Sequence, residues 1–195
     1  MIFLYLFLSH LTADFVFQPD GMVSWKRRDW KGIAIHTLIY FITGLVFLFP
    51  YIGNPTIVLI LLVNALVHFA IDREKIKHEK SGRQYVKLFF LDQMTHVLIL
   101  ALVAWIINPL VLGVSLPVSL TGWYGNSLFI MYFIMAILLT FCIEIVKYQF
   151  SRQTNPHVAM NLDFGKMFIR LLIFSVAYSV VLVLALTEVA KTVMN

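Results

Sequence analysis

The sequence predicts an all-α fold, a polytopic transmembrane bundle of six helices, and three observations predict it. The 195 residues are 61% hydrophobic and only 13% charged, with a mean hydropathy of +0.87, whereas a soluble domain carries about a quarter charged residues. Six apolar stretches approach the roughly 20 residues that a membrane-spanning helix needs. Lys and Arg concentrate in the segments after the odd-numbered stretches, which is how membrane proteins encode their orientation.

The stretches run over about 2–18, 33–52, 55–72, 88–107, 126–147 and 168–190, judged against that spanning length. The first is short enough for a secretory signal. It has neither a basic leader nor a small-residue cleavage pattern, and it carries His10 and Asp14, so it is expected to remain as a helix. Pro50, Gly53 and Pro55 predict a tight turn between the second and third helices. Pro109, Gly113, Pro117 and Gly122 predict a longer loop before the fifth. No repeat, low-complexity tract or soluble domain is visible, so residues 1–195 are expected to form one domain.

Fourteen of the fifteen Lys and Arg lie on one side of this layout. They are Lys26, Arg27, Arg28 and Lys31 after the first stretch; Arg73, Lys75, Lys77, Lys80, Arg83 and Lys87 after the third; and Lys147, Arg152, Lys166 and Arg170 around the fifth and sixth. Lys191 stands alone on the other side. These basic loops are expected to be cytoplasmic and both termini outside. The net charge of +5 therefore requires no nucleic-acid partner. Cys142 is the sole cysteine, which excludes an intrachain disulfide.

Within these apolar stretches a histidine and an aspartate stand four residues apart three times: His10 with Asp14, His68 with Asp72, and Asp92 with His96. On a helix that spacing stacks the two side chains on one face. Each ionisable group at the centre of a membrane helix costs roughly 2.5–3.5 kcal/mol, so it is first read as functional. With His36 and Glu144, all of these groups fall within roughly 12 Å of the cytoplasmic edge at the α-helical rise. A bundle whose inner faces meet there gathers four histidines and three aspartates in one layer.

Helix-borne pairs three or four residues apart are how bundle cores hold metals. Asp14, Asp72 and Asp92 have no evident cation in the same helical stretches, so ionisation calls for one or two divalent ions. Mixed nitrogen and oxygen donors suit zinc, manganese or iron better than magnesium or calcium. The candidate ligands are His10, Asp14, His36, His68, Asp72, Asp92 and His96. Gln18 and Gln93 follow the ligand pairs and are candidates to orient a ligand or bind substrate, as are Lys26 and Glu144. The plain structural reading of any one pair is an interhelical hydrogen bond. His78 and His157 read as surface residues, and the phenylalanines and tryptophans as lipid-facing and interfacial positions.

The run Ser-His-Leu-Thr-Ala-Asp-Phe-Val-Phe-Gln-Pro-Asp at 9–20, the isolated His36, Val-His-Phe-Ala-Ile-Asp at 67–72 and Phe-Leu-Asp-Gln-Met-Thr-His at 90–96 resemble the blocks of a bacterial inner-membrane family, the domain of unknown function numbered 3307. The second half resembles it more weakly: Gly165-Lys166-Met167-Phe168-Ile169-Arg170 lacks the second glycine of the family's last-helix start. The resemblance implies a role for the seven His and Asp residues without naming a reaction. In the layout of its His/Asp pairs the chain also has a distant likeness to membrane-bound metal-dependent hydrolases, by analogy alone.

No nucleophile elbow, credible serine or cysteine triad or phosphate loop is present, so hydrolysis here would depend on a metal-activated water, with Asp92 or Asp14 as the carboxylate that takes the proton. A pocket rimmed by Lys26, Arg27, Arg28, Lys75, Lys77 and Arg83 suits the anionic headgroup of a membrane lipid, although these cations also serve topology alone. A metal-ion or proton-coupled transporter, a haem protein using His36, His68 and His96, and a structural membrane subunit are the alternatives. Few polar groups, chiefly Thr43, Asn64 and Tyr132, continue beyond the layer, which counts against a through-pathway. The adjoining aspartates count against haem.

Overall fold

The computed structural model describes residues 1–82, 84–112 and 122–194, and among these the chain is helical with no strand. Helix α1 (Ile2–Leu11) runs on through a wider π turn, Thr12–Val16. It is followed by α2 (Asp20–Arg28), α3 (Trp30–Phe47), α4 (Pro55–Gly82) and α5 (Tyr85–Ile107). Helix α6 comprises Ser127–Ile137, a second π turn at Leu138–Cys142, and Ile143–Thr154. Helix α7 is Phe164–Met194.

Helix starts follow from local chemistry. The Asp29 carboxylate accepts from the Lys31 amide at the head of α3, and the Asn126 side chain accepts from the Leu128 and Phe129 amides at the head of α6. Asn54 does the same for Thr56, and Pro55 fills a first-turn position where its missing N–H costs nothing. The expected turn at Pro50–Pro55 is therefore built as read. Of the longer loop, Pro109 lies in a 3₁₀ turn, Asn108–Val111, while Gly113 and Pro117 lie outside the described residues.

Among the described residues five helices are long and apolar enough to cross a membrane: Trp30–Phe47, Pro55–Glu79, Tyr85–Val111, Ser127–Thr154 and Phe164–Ala185. The first expected span differs. Ile2–Val16 and Asp20–Arg28 qualify only as a pair bent by 88°, and Ile2–Val16 alone covers roughly 22 Å at the helical rise. The bend at Phe17–Pro19 turns α2 back against α3, where a straight span and a loop were expected. Large apolar side chains such as Leu66, Leu98, Trp105 and Ile173 stand exposed around the bundle, which suits lipid and not water. The core is Leu48, Ile57, Leu100, Ile107 and Ile130, all fully buried.

Three details position the site. Helix α4 does not stop where its apolar run ends at Asp72 but continues to Gly82, so Lys75, Lys77 and Glu79 are helical residues where a loop was expected. Helix α2 sits hard against α3: a Cβ on Gly32 would lie 2.6 Å from the Lys26 nitrogen and from the Trp25 carbonyl carbon. At the far end, Tyr5 stacks on Tyr124 with ring centres 4.1 Å apart, the Tyr5 hydroxyl donates to the Tyr124 carbonyl, and the Tyr124 hydroxyl donates to that of Phe47.

Gly32→Ala is expected to force α2 off α3 at an overpacking cost of about 1–3 kcal/mol. In mild detergent that reads as a fall in Tm of roughly 2–10 °C. Gly21, with nothing within 4 Å of its Cβ position, is the control, and Gly21→Ala should leave the Tm unchanged or raise it.

Candidate metal centre

Helices α1, α3, α4 and α5 each present histidine or aspartate toward one buried point. His10, Asp14, His36, His68, Asp72, Asp92 and His96 are all buried. His68 is the hub: its ring stacks on Tyr40 at 4.1 Å and on His96 at 4.3 Å, and lies 5.2 Å from that of His36. Three overlapping triads, His10/Asp14/His68, His36/His68/Asp72 and Asp72/Asp92/His96, each bring their ligand atoms within 4.8 Å of one another.

The tightest arrangement shares one edge. His36 Nε2 and His68 Nε2 are 3.1 Å apart. Asp14 Oδ1 lies 3.2 Å from the first and 3.6 Å from the second; Asp72 Oδ2 lies 3.7 and 3.6 Å from them. Ligands bonded at 2.0–2.1 Å to a tetrahedral ion are separated by about 3.3–3.4 Å. Both triangles on the His36–His68 edge therefore have the size of a face of such a tetrahedron.

Around this set, His10 Nδ1 is 3.8 Å from Asp14 Oδ2, and His96 Nε2 is 3.4 Å from Asp92 Oδ1 without making a hydrogen bond. His10, His36 and His68 each leave Nδ1 buried and without a hydrogen-bond partner. Buried polar atoms that go unpaired are costly, so these nitrogens call for a partner such as a water or an ion.

The expectation that the three aspartates have no cation nearby is corrected. Lys26 Nζ is 2.5 Å from Asp72 Oδ2, and Lys75 Nζ is 2.7 Å from Asp92 Oδ2. Lys26 is delivered by the folded-back α2, and Lys75 by the continuation of α4, one turn beyond Asp72. Neither route is visible when these segments are read as loops. Gln18 accepts from Lys26 at 2.7 Å. Gln93 donates to Asp92 Oδ2 at 3.1 Å and faces His10 Nε2 at 3.3 Å, so both glutamines hold neighbours of the cluster. Glu144 does not join it: its carboxylate is taken by Lys147 at 3.0 Å and by Arg170 of α7. His78 and His157 are exposed, as expected.

Sequence reasoning missed two groups. Tyr40, four residues after His36 and so on the same helix face, flanks His68 and accepts through its hydroxyl from Asn64 at 2.8 Å. Glu79, buried at the basic end, pairs with Arg152 of α6 at 3.3 Å and Arg27 of α2 at 3.7 Å. The Arg152 guanidinium lies 3.9 Å from the Tyr85 ring centre. Beside this pair a polar cleft lined by Gln18, Lys26, Asp72, Lys75, Tyr148 and Gln149 offers about 50 Å³ of space open to water, room for a few molecules. It reaches the cluster at Asp72.

The family model described as Protein of unknown function (DUF3307) matches residues 2–121, and the chain belongs to that family. No curated protein and no solved structure matches the chain. All seven converging side chains lie inside the matched residues, and α6 and α7 lie outside them.

Removing the cation from one buried pair strands a carboxylate, so Lys75→Met is expected to destabilise the protein by about 3–5 kcal/mol. The double substitution Lys75→Met with Asp92→Asn should recover most of that loss. Denaturant titration in detergent measures both, and equal losses for the single and double variants would show that the pair carries no coupling.

Proposed function

We propose that this chain is a membrane-embedded hydrolase that holds one divalent transition metal between Asp14, His36, His68 and Asp72 and acts on a lipid phosphoester. The observation that carries the reading is the pair of ligand triangles sharing the His36–His68 edge, with separations of 3.1–3.7 Å. Two nitrogens and two carboxylate oxygens suit zinc best, with manganese or iron as alternatives.

Charge supports one ion over two. Asp14, Asp72 and Asp92 bring three negative charges, and Lys26 and Lys75 return two. One divalent cation leaves the pocket at one net positive charge when the imidazoles are neutral, which favours an anionic substrate; a second leaves three, an arrangement a low-dielectric site resists. His10, Asp92 and His96 then stand beside the ion.

Asp14, His36, His68 and Asp72 would hold the ion, which would supply Lewis acidity and, with a water as a further ligand beside those four side chains, acidify that water toward neutrality. The protein's own groups do the remainder. Asp92, paired with Lys75 and held by Gln93, is the carboxylate we assign to accept a proton, with His96 against its other oxygen. Lys26 neutralises Asp72 and is itself held by Gln18. The cleft beside Tyr148 and Gln149 admits water from the basic end, which by the distribution of Lys and Arg we assign to the cytoplasm, with both termini outside and the protein in a bacterial inner membrane.

A transport reading is less well supported. The polar side chains do continue one turn beyond the cluster, with Ser9 donating to Thr43 at 3.2 Å and Asn64 to Tyr40. Past that turn the buried residues are mostly apolar, among them Leu48, Ile57, Leu61 and Leu100, and the Tyr5 and Tyr124 hydroxyls at the far end are already bonded to the Tyr124 and Phe47 carbonyls.

Protein purified in mild detergent without chelator is expected to contain about one zinc, manganese or iron per chain by elemental analysis, the stoichiometry of a single four-ligand site. His36→Ala, His68→Ala and Asp72→Asn should lose it. Asp92→Asn should retain the metal yet release no phosphate from phospholipid or polyprenyl phosphate. A folded, monodisperse preparation free of transition metal would overturn the proposal.

A further inference from the structure

Lys75 lines two cavities of opposite character. One is the polar cleft just described. The other is a groove of about 420 Å³ between α4 and α5, walled by Val67, Ala70, Ile71, Leu88 and Leu91, with Lys75 and the buried Asp92 on its inner side. Leu91 and Val67 are exposed on the outer surface of the bundle, so this groove opens sideways into lipid, whereas the cleft opens toward water. Lys75 is the residue that both linings share, and its partner Asp92 lines the groove.

We propose that the groove takes a chain of an anionic membrane lipid sideways from the bilayer and that the lipid's phosphate is drawn to Lys75. The inference rests on the hydrolase reading and names its substrate class. A free anion gains nothing from apolar walls, and an uncharged lipid gains nothing from Lys75; an acidic lipid uses both. The Lys75 ammonium carries three N–H donors, of which Asp92 Oδ2 takes one at 2.7 Å, so the lysine can meet an incoming phosphate while it stays paired with the buried carboxylate. Glu74 at the mouth is already faced by Lys77 at 3.4 Å and His78 at 3.7 Å, which mutes its repulsion.

The other apolar grooves lack this combination. The one bounded by Phe7, Leu11, Phe89, Met94 and Leu138 reaches the site only at Gln93. The one around Tyr5, Phe47 and Tyr124 is lined by no charged residue.

A photo-crosslinking amino acid at Leu91, compared with one at the lipid-facing Leu172, tests the proposal in phosphatidylcholine vesicles containing a minor share of phosphatidic acid. Crosslinks at Leu91 are expected to favour the acidic lipid about fivefold over its share, on the scale of one lysine's attraction for such a lipid, and those at Leu172 to follow the bulk composition. Lys75→Met together with Asp92→Asn should abolish the preference, and Ala70→Phe, which fills the wall without touching the ion pair, should abolish the acidic-lipid crosslink. Bulk composition at both positions, or a preference that survives loss of Lys75, overturns the proposal. Metal content measured on the same samples separates the two readings: retained metal with no preference sinks the lateral entry alone, whereas a lipid preference in metal-free folded protein sinks the hydrolase.

Discussion

Three carboxylates buried inside a membrane bundle set the terms for everything around them. An isolated ion in a low-dielectric interior is prohibitive, and only close opposite charge with further hydrogen bonding makes it tolerable. Asp72 and Asp92 obtain their cations from Lys26 and Lys75. Those two requirements explain features that look unrelated. The 88° bend after Val16 exists to bring α2 back over the bundle, and the bare Cα of Gly32 lets it approach closely enough for Lys26 to reach Asp72. The extension of α4 past its apolar run puts Lys75 one turn beyond Asp72. Asp14 alone has no lysine, only histidines, and it lies within the set whose spacing fits a metal.

Asp14 also occupies the π turn, Thr12–Val16. Such turns shift the register of all that follows, and they recur at functional sites. In a regular helix His10 and Asp14 would stack as a simple pair. Here Asp14 Oδ2 stands 3.8 Å from His10 Nδ1, while Asp14 Oδ1 comes within 3.2 Å of His36. The turn thus redirects the carboxylate from its own helix toward two others, which is what a shared ligand requires and a local hydrogen bond does not.

Much of this could be read from the chain, and the failures have a common cause. The helical class, most of the apolar stretches and the clustering of the seven His and Asp residues follow from composition and from four-residue spacing, since both are local properties. What escaped was the behaviour of segments where hydrophobic periodicity stops. Residues 19–28 and 73–82 lack an apolar face long enough to signal a helix, so Lys26 and Lys75 read as loop charges when they are buried counter-ions. Glu144 stands apart from the cluster: buried itself, it is paired with Lys147 and, from another helix, with Arg170. Tyr40 was legible from its spacing to His36, but an aromatic residue among 17 phenylalanines carries little signal until its ring is seen against His68.

The boundary of the family match gives the arrangement its logic. Residues 2–121 contain every converging side chain and the groove between α4 and α5, yet not the outer wall of the polar cleft, to which α6 contributes Ile145, Tyr148 and Gln149. The Glu79–Arg152 pair fastens that wall to α4, and Arg27 ties α2 to the same carboxylate. On the proposed reading, access from water depends on α6, while the His/Asp cluster and the groove between α4 and α5 do not. An ion cluster that served only to lock helices together would need no such cleft, and sealing it with apolar side chains would lower its cost. A polar cleft maintained against a buried ion pair by a second buried ion pair is the arrangement expected where water must arrive at the His/Asp layer from one side while the bilayer stays on the other.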